Sequence, residues 1–165
     1  MNLRADAMTG TLLARLPQLM PALLDWAAKT ELQGIRTGKP LAFWQQADAR
    51  DVGVRHIAKV RLCLVETMPL ISNATLRDAA RAADLLGPDT IGLTLGHAVF
   101  ILRSHAGKRR LLRHELRHVA QQEETGDMQR WLRTYLEQVI RLGYAQAPLE
   151  IDARQFETRV RPGLP

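Results

Sequence analysis

The most constraining stretch of this chain is His114-Glu115-Leu116-Arg117-His118. It sits in a helical run from about Lys108 to Glu124, between the turns Ala106-Gly107 and Thr125-Gly126-Asp127. On a helix, side chains four residues apart project from one face, so His114 and His118 can share one metal ion. Glu115, the next residue, is then placed to take a proton from a water that the metal activates. A catalytic zinc has three protein ligands and one open position. A chain folded around this pattern must therefore bring a third ligand to the same point.

Composition narrows the setting. Hydrophobic residues are 46% and charged residues 24% of 165, as in a soluble globular protein with one sizeable core. The charge is basic, 23 Lys+Arg against 17 Asp+Glu, but the cations are spread along helical faces, and no nucleic-acid partner is expected. The densest basic run, Lys108-Arg109-Arg110, reads as a solvated helix start. The apolar run Thr11 to Ala28 carries Arg15, Asp25, Pro17 and Pro21 and is too interrupted for a membrane span or an export signal. Cys63 is the only cysteine, which excludes an internal disulfide and favours a reducing compartment, the cytoplasm by default. The sequence leaves the oligomeric state open.

The chain reads as α+β, a mostly helical single domain with a small β-sheet packed on the His114–His118 helix. Residues 1–52 form a helical N-terminal part and 53–160 the core. Leu12, Leu13, Leu16, Leu19, Leu23, Leu24 and Trp26 give a helix over 11–32 its apolar face, with Pro17 and Pro21 kinking it or marking its start. A short helix follows at 43–51; Trp26, Phe43 and Trp44 are expected in the core or a groove lining. Alternation over 57–65 predicts a strand, with Val60, Leu62 and Leu64 on one side. Ser72-Asn73 caps a helix over 74–86. Two β-rich runs, 90–95 and 97–103, flank Gly96, which suggests a bulge or a close backbone approach. Helices are expected over 128–142 and 149–158, and the tail from Arg161 to Pro165 is expected to fray.

Two residues compete to be the third ligand. Glu124 lies six residues past His118, about 240° around a continuous helix, and so points away. Glu150 is better placed. The helix over 128–142 can return antiparallel, so that the last helix opens beside the metal helix with Glu150, and Ala153, on the same face, is small enough for close approach. His56 and His105 are isolated from this spacing and have no expected metal role.

His114-Glu115-Leu116-Arg117-His118 followed by a helical hairpin and Glu150-Ile151-Asp152-Ala153 resembles the gluzincin clan of zinc metallopeptidases, whose pattern is HExxH and then ExxA on the next helix; the compact minigluzincins are nearest in size. The stretch Thr94-Leu95-Gly96-His97-Ala98-Val99-Phe100-Ile101 before it is similar to peptidase-like bacterial domains. The resemblance covers roughly residues 57–158. It implies a zincin-like core, Zn(2+) held by His114, His118 and Glu150, and Glu115 as general base. It also implies an edge strand at Gly96, His97 and Ala98 that pairs with an extended peptide or protein substrate. Tyr144 or His97 would stabilise the oxyanion. One departure stands out: where thermolysin-like members carry an Asp that orients a zinc histidine, four residues after the ligand Glu, this chain has Arg154, and Asp152 is no evident substitute. Two other functions compete with a peptidase. One is a catalytically weak or inactive zincin-like module that binds a peptide or protein; the other is a basic nucleic-acid-binding helical domain.

Overall fold

The computed structural model describes residues 3–159, so the expected fraying of Arg161–Pro165 lies outside the described residues. The fold is α+β, with a four-stranded sheet enclosed by helices. In chain order the elements are α1 (Leu3–Thr37), β1 (Lys39–Pro40), α2 (Phe43–Asp51), β2 (Arg61–Val65), α3 (Ala74–Ala82), β3 (Gly92–Leu95), β4 (Ala98–Leu102), α4 (Arg109–Thr125), α5 (Met128–Leu142) and α6 (Pro148–Thr158). No helix among the described residues is long and apolar enough to cross a membrane.

The sheet order is β1-β2-β4-β3. Strands β2 and β4 run parallel, Leu62 opposite Val99, so the chain between them crosses over through α3. β3 returns antiparallel on β4 and forms the outer edge. The period-two alternation then sorts the side chains. Val60, Val99 and Ile101 pack on Leu112, Leu116 and Val119 of α4. Cys63, Ala98 and Phe100 face the other way, toward α1, where a Cβ on Gly34 would stand 2.6 Å from the Ala98 Cβ. Glycine at 34 is thus required by the closeness of helix to sheet.

Several boundaries differ from the sequence reading for identifiable reasons. α1 runs through both prolines, which sit on its exposed side while Leu12, Leu16, Met20 and Ala27 are buried. Residues 57–59 form a 3-10 turn, and the strand begins only at Arg61. Asn73 caps α3 as expected, its Oδ1 accepting from Leu76 N at 3.0 Å, but the helix stops at Ala82 because Asp84 and Leu86 take positive φ. Gly96, at φ +56°, makes a two-residue hairpin turn with His97, and a Cβ there would collide with the Glu31 carboxylate. Phe43 and Trp44, expected in the core or a groove, are exposed; α2 turns its charged side inward instead.

That inward side carries the most buried ion pairs of the fold. Asp48 is 1% exposed and Arg113 3%. Arg113 donates to Asp48 Oδ1 at 2.8 Å, to Asp51 Oδ2 and to the carbonyls of Phe156 and Arg159, tying α2, α4 and the end of α6 together. Arg109 closes a two-point fork on Asp48 at 2.7 and 2.8 Å, and Arg110 lies 3.7 Å from Glu157, so the basic run is partly neutralised. Burial by itself would raise the Asp48 carboxyl, but the hydrogen bonds and charges of Arg109 and Arg113 outweigh it and hold it below its ordinary value. Removing the Asp48 charge leaves the buried Arg113 guanidinium with one of its two carboxylate partners. Asp48→Asn is therefore expected to lower unfolding free energy at pH 7 by about 3–5 kcal/mol. Because the folded-state carboxyl is depressed, this contribution is complete above the ordinary value of 3.8 and is lost as pH falls through the lower folded one. Denaturant titrations of both proteins should thus converge toward acid pH.

Candidate metal centre

Helix α4 presents His114 and His118 side by side, and α6 opens with Glu150 against them. The His114 and His118 Nε2 atoms are 3.1 Å apart. Glu150 Oε2 is 3.1 Å from His114 Nε2, and Oε1 is 3.2 Å from His118 Nε2. All three residues are buried, Glu150 to 1% exposure. The structure thus brings together the three residues expected as ligands. Glu124 instead pairs with Arg117 at 2.7 Å, away from the cluster.

The outer hydrogen bonds determine which ring nitrogens carry protons. Gln121 Nε2 donates to Leu149 O at 2.9 Å and Asp152 Oδ2 at 2.7 Å, so its Oε1 is left to accept from His118 Nδ1 at 2.8 Å. His114 Nδ1 faces a carboxylate oxygen, Glu157 Oε1, at 3.1 Å. Both rings are thereby protonated at Nδ1, and in the neutral form both turn a bare Nε2 lone pair inward. Glu150 adds a carboxylate whose Oε2 is buried and receives no hydrogen bond. Three acceptors converge on one point with no donor among them. A divalent cation of borderline softness satisfies that donor set, and two imidazoles with one carboxylate suit zinc.

The surrounding charge agrees. Burial pushes the His114 imidazole down, but the hydrogen bond that a protonated Nε2 would give Glu150, with the charges of Glu115, Glu150 and Glu157, outweighs it and raises its affinity for a proton. Burial likewise opposes ionisation of Glu150, yet the hydrogen bonds and charges that His114 and His118 supply when protonated at Nε2 hold its carboxyl well below the usual range. Positive charge is favoured at the centre of this cluster.

Glu115 lies on the sheet side of the same helix. Thr94 of β3 donates its hydroxyl to Glu115 Oε2 at 2.6 Å, and the backbone at Gly92 approaches so closely that a Cβ would stand 2.3 Å from Oε1. The edge strand therefore fixes the Glu115 carboxylate. On the other side, Tyr135 of α5 donates to Glu150 Oε1 at 2.9 Å and stacks on Trp131, their centroids 5.1 Å apart. Its phenol is pushed well up by burial and by Glu150, so it stays a donor. The sequence predicts no more than a helix over 128–142 here, because the i+15 separation of Tyr135 from Glu150 carries no local signal. Tyr144, in the 3-10 turn before α6, lines the same space, and burial with the Glu150 charge raises its phenol too.

Other expectations need correction. Ala98 is fully buried in β4, paired on both sides with Arg61 and Leu95, so its backbone is not available to a substrate; the edge is Gly92–Leu95. Gly96 N already donates to Gln122 Oε1 at 2.7 Å. The His97 ring bonds Glu123 Oε1 at 2.9 Å rather than facing the cluster. His56 is not isolated, since its Nδ1 lies 3.2 Å from the same Glu123 oxygen, whereas His105 meets Ser104 at the surface. The carboxylate missing at Arg154 is supplied by Glu157 on His114, and Asp152 supports His118 through Gln121.

The cluster opens into a cavity of about 600 Å³. Its walls are mostly apolar: Leu12, Leu16, Leu19 and Leu23 of α1, Leu76 of α3, Trp131 and Leu136 of α5, and the backbone of β3.

Comparison with known proteins gives one match. Residues 72–126 are similar to the eCIS core domain. That stretch spans α3, β3, β4 and α4, including His114, Glu115 and His118, and ends before Glu150. No curated protein and no solved structure matches the chain.

The role of Glu157 can be measured apart from any turnover. Glu157→Gln keeps the side-chain shape and weakens the acceptor on His114 Nδ1; zinc affinity, read by competition with a chromophoric chelator, should fall by about 10- to 100-fold with little change in thermal stability of the metal-free protein.

Proposed function

We propose that this chain is a zinc-dependent metallopeptidase of gluzincin type. The observation that carries the reading is the convergence of the two Nε2 lone pairs and the unpartnered Oε2 of the Glu150 carboxylate on one buried point. His114, His118 and Glu150 would hold the zinc, whose chemistry there is to acidify a water and polarise a carbonyl.

The remaining work falls to the chain's own groups. Glu115, held by Thr94 and the Gly92 backbone, accepts the proton of the attacking water and passes it to the leaving amine. Tyr135 keeps the Glu150 carboxylate oriented, and Tyr144, a phenol that stays protonated, serves as the donor toward the developing oxyanion. An extended peptide would pair with the outer edge of β3, residues Gly92–Leu95, and place an apolar side chain in the cavity under α1. Cys63, buried as a free thiol, fits a reducing compartment such as the cytoplasm.

One observation favours a second reading, a zinc-binding module without turnover: Arg154 Nη1 lies 3.8 Å from Glu150 Oε2 and adds a cation beside the ligand carboxylate. Glu115→Gln separates the two. A peptidase loses turnover of labelled casein or a mixed quenched-peptide pool by at least about 10²-fold while zinc per chain is unchanged; a binding module shows no chelator-sensitive hydrolysis in either protein and equal peptide affinity in both.

A further test acts through the backbone. Gly92→Ala forces the end of the Glu115 side chain aside without touching a zinc ligand, so hydrolysis should drop sharply at unaltered zinc stoichiometry. Retention of full turnover by this variant would remove Glu115, in its present position, from the mechanism.

A further inference from the structure

We infer a second cation site in this chain, formed by His56, His97 and Glu123, that takes a divalent transition ion of the zinc class. Its ligand atoms come from three separate elements: the loop after α2, the β3–β4 turn and the C-terminal part of α4. His97 Nε2 is 2.9 Å and His56 Nδ1 3.2 Å from Glu123 Oε1, and the three candidate ligand atoms lie within 4.8 Å of one another. The rings meet edge to face with centroids 6.2 Å apart.

The hydrogen-bond count is what points to an ion. A carboxylate oxygen has two lone-pair directions. Glu123 Oε1 already accepts from the His56 backbone N at 3.0 Å, leaving one direction for two imidazole nitrogens. Oε2 is taken by the Arg55 backbone N at 2.6 Å. Both ring nitrogens, at 2.9 and 3.2 Å, thus crowd onto that one direction, and a cation between the rings and the carboxylate would give each nitrogen a bond of its own. The Glu123 side chain is 5% exposed, His97 22% and His56 55%, so the carboxylate is fixed, one ring is half-held, and the site opens to water on the His56 side. Two imidazoles and one carboxylate select zinc-class ions over magnesium or calcium, which take oxygen ligands.

Arg55 limits the affinity. Its Nε is 3.9 Å from Glu123 Oε2 and its guanidinium donates to the Glu123 carbonyl, so the site should be weaker than the one at His114. Occupancy would pin the turn at the end of the edge strand to α4, next to Gln122, which bonds both Gly96 N and His118 O.

Zinc titration of the full chain, with bound ion counted after gel filtration and affinity followed by calorimetry, tests this. Wild type should bind two zinc ions per chain, His56→Gln/His97→Gln one, and Glu150→Gln should keep the ion that the double variant loses. The single, surface-placed His56→Gln should weaken the looser ion by about 10-fold or more with an unchanged circular dichroism spectrum, which guards against a misfolded double variant. An unchanged count and affinity in both His variants, or a single wild-type ion that disappears in Glu150→Gln, overturns the second site. A single wild-type ion that disappears in His56→Gln/His97→Gln and survives Glu150→Gln would instead uphold it and overturn the metal centre at His114.

Discussion

A carboxylate almost wholly removed from water, with one oxygen receiving no hydrogen bond, is costly unless something else compensates it. Glu150 is held in that state by the docking of α6 on α4. The docking uses one stripe of α4: Arg113 donates to the carbonyls of Phe156 and Arg159, Arg117 to Asp152 Oδ2 at 2.6 Å, and Gln121 to Leu149 O and Asp152 Oδ2. These residues recur every four positions, and the histidines occupy the adjacent stripe, one position on. Ala153, fully buried, removes the bulk that would hold the helices apart. The clamp and the cluster are thus neighbouring faces of one helix.

The same antiparallel crossing explains why Arg154 does not leave the histidines unsupported. Successive contacts from Leu149 through Asp152 to Phe156 on α6 step backward along α4 from Gln121 to Arg113. Seven residues are close to two full turns, so Glu157 returns to the face of Glu150 two turns further on, where it meets His114. Residue 154 lies between, and its guanidinium turns to Ala145 O. A carboxylate thus orients His114 from two turns along the same face, and on the His118 side Gln121 relays Asp152.

The parts of this arrangement that were legible beforehand are those governed by local period. The spacing of His114 and His118, the turns that bound α4 and α5, and the return of the chain to Glu150 follow from helical geometry and element length. Contacts fixed by the crossing of distant elements were not legible: Tyr135 on Glu150, Glu157 on His114, and Asp48 under Arg113 carry no spacing signal. The edge of the sheet was misplaced because strand order depends on the parallel crossover between β2 and β4, which puts Ala98 inside and Gly92–Leu95 outside. His56 was dismissed for its isolation in sequence, yet the Gly96 turn delivers His97 beside it. Phe43 and Trp44 misled in the opposite sense, since α2 buries Asp48 and Asp51 in place of its aromatics.

The similarity to the eCIS core domain divides the site unevenly. Residues 72–126 contain both histidines, Glu115, and Thr94 and Gly92 that hold it. The third acceptor Glu150, its donor Tyr135, the partner Glu157 and the apolar wall from α1 all lie outside that stretch. Electrostatic interactions strengthen as water is excluded, and the exclusion here comes from Leu12, Leu16, Leu19 and Leu23 over the cavity and from Trp131 against His118. The matched segment thus supplies two imidazoles and a carboxylate held at a strand edge, whereas α5 and α6 complete the cluster and α1 walls the cavity beside it. On the proposed function, chemistry resides in the shared part and selectivity in the flanking helices, and exchanging the α1 leucines should change which side chains are accepted while leaving the metal in place.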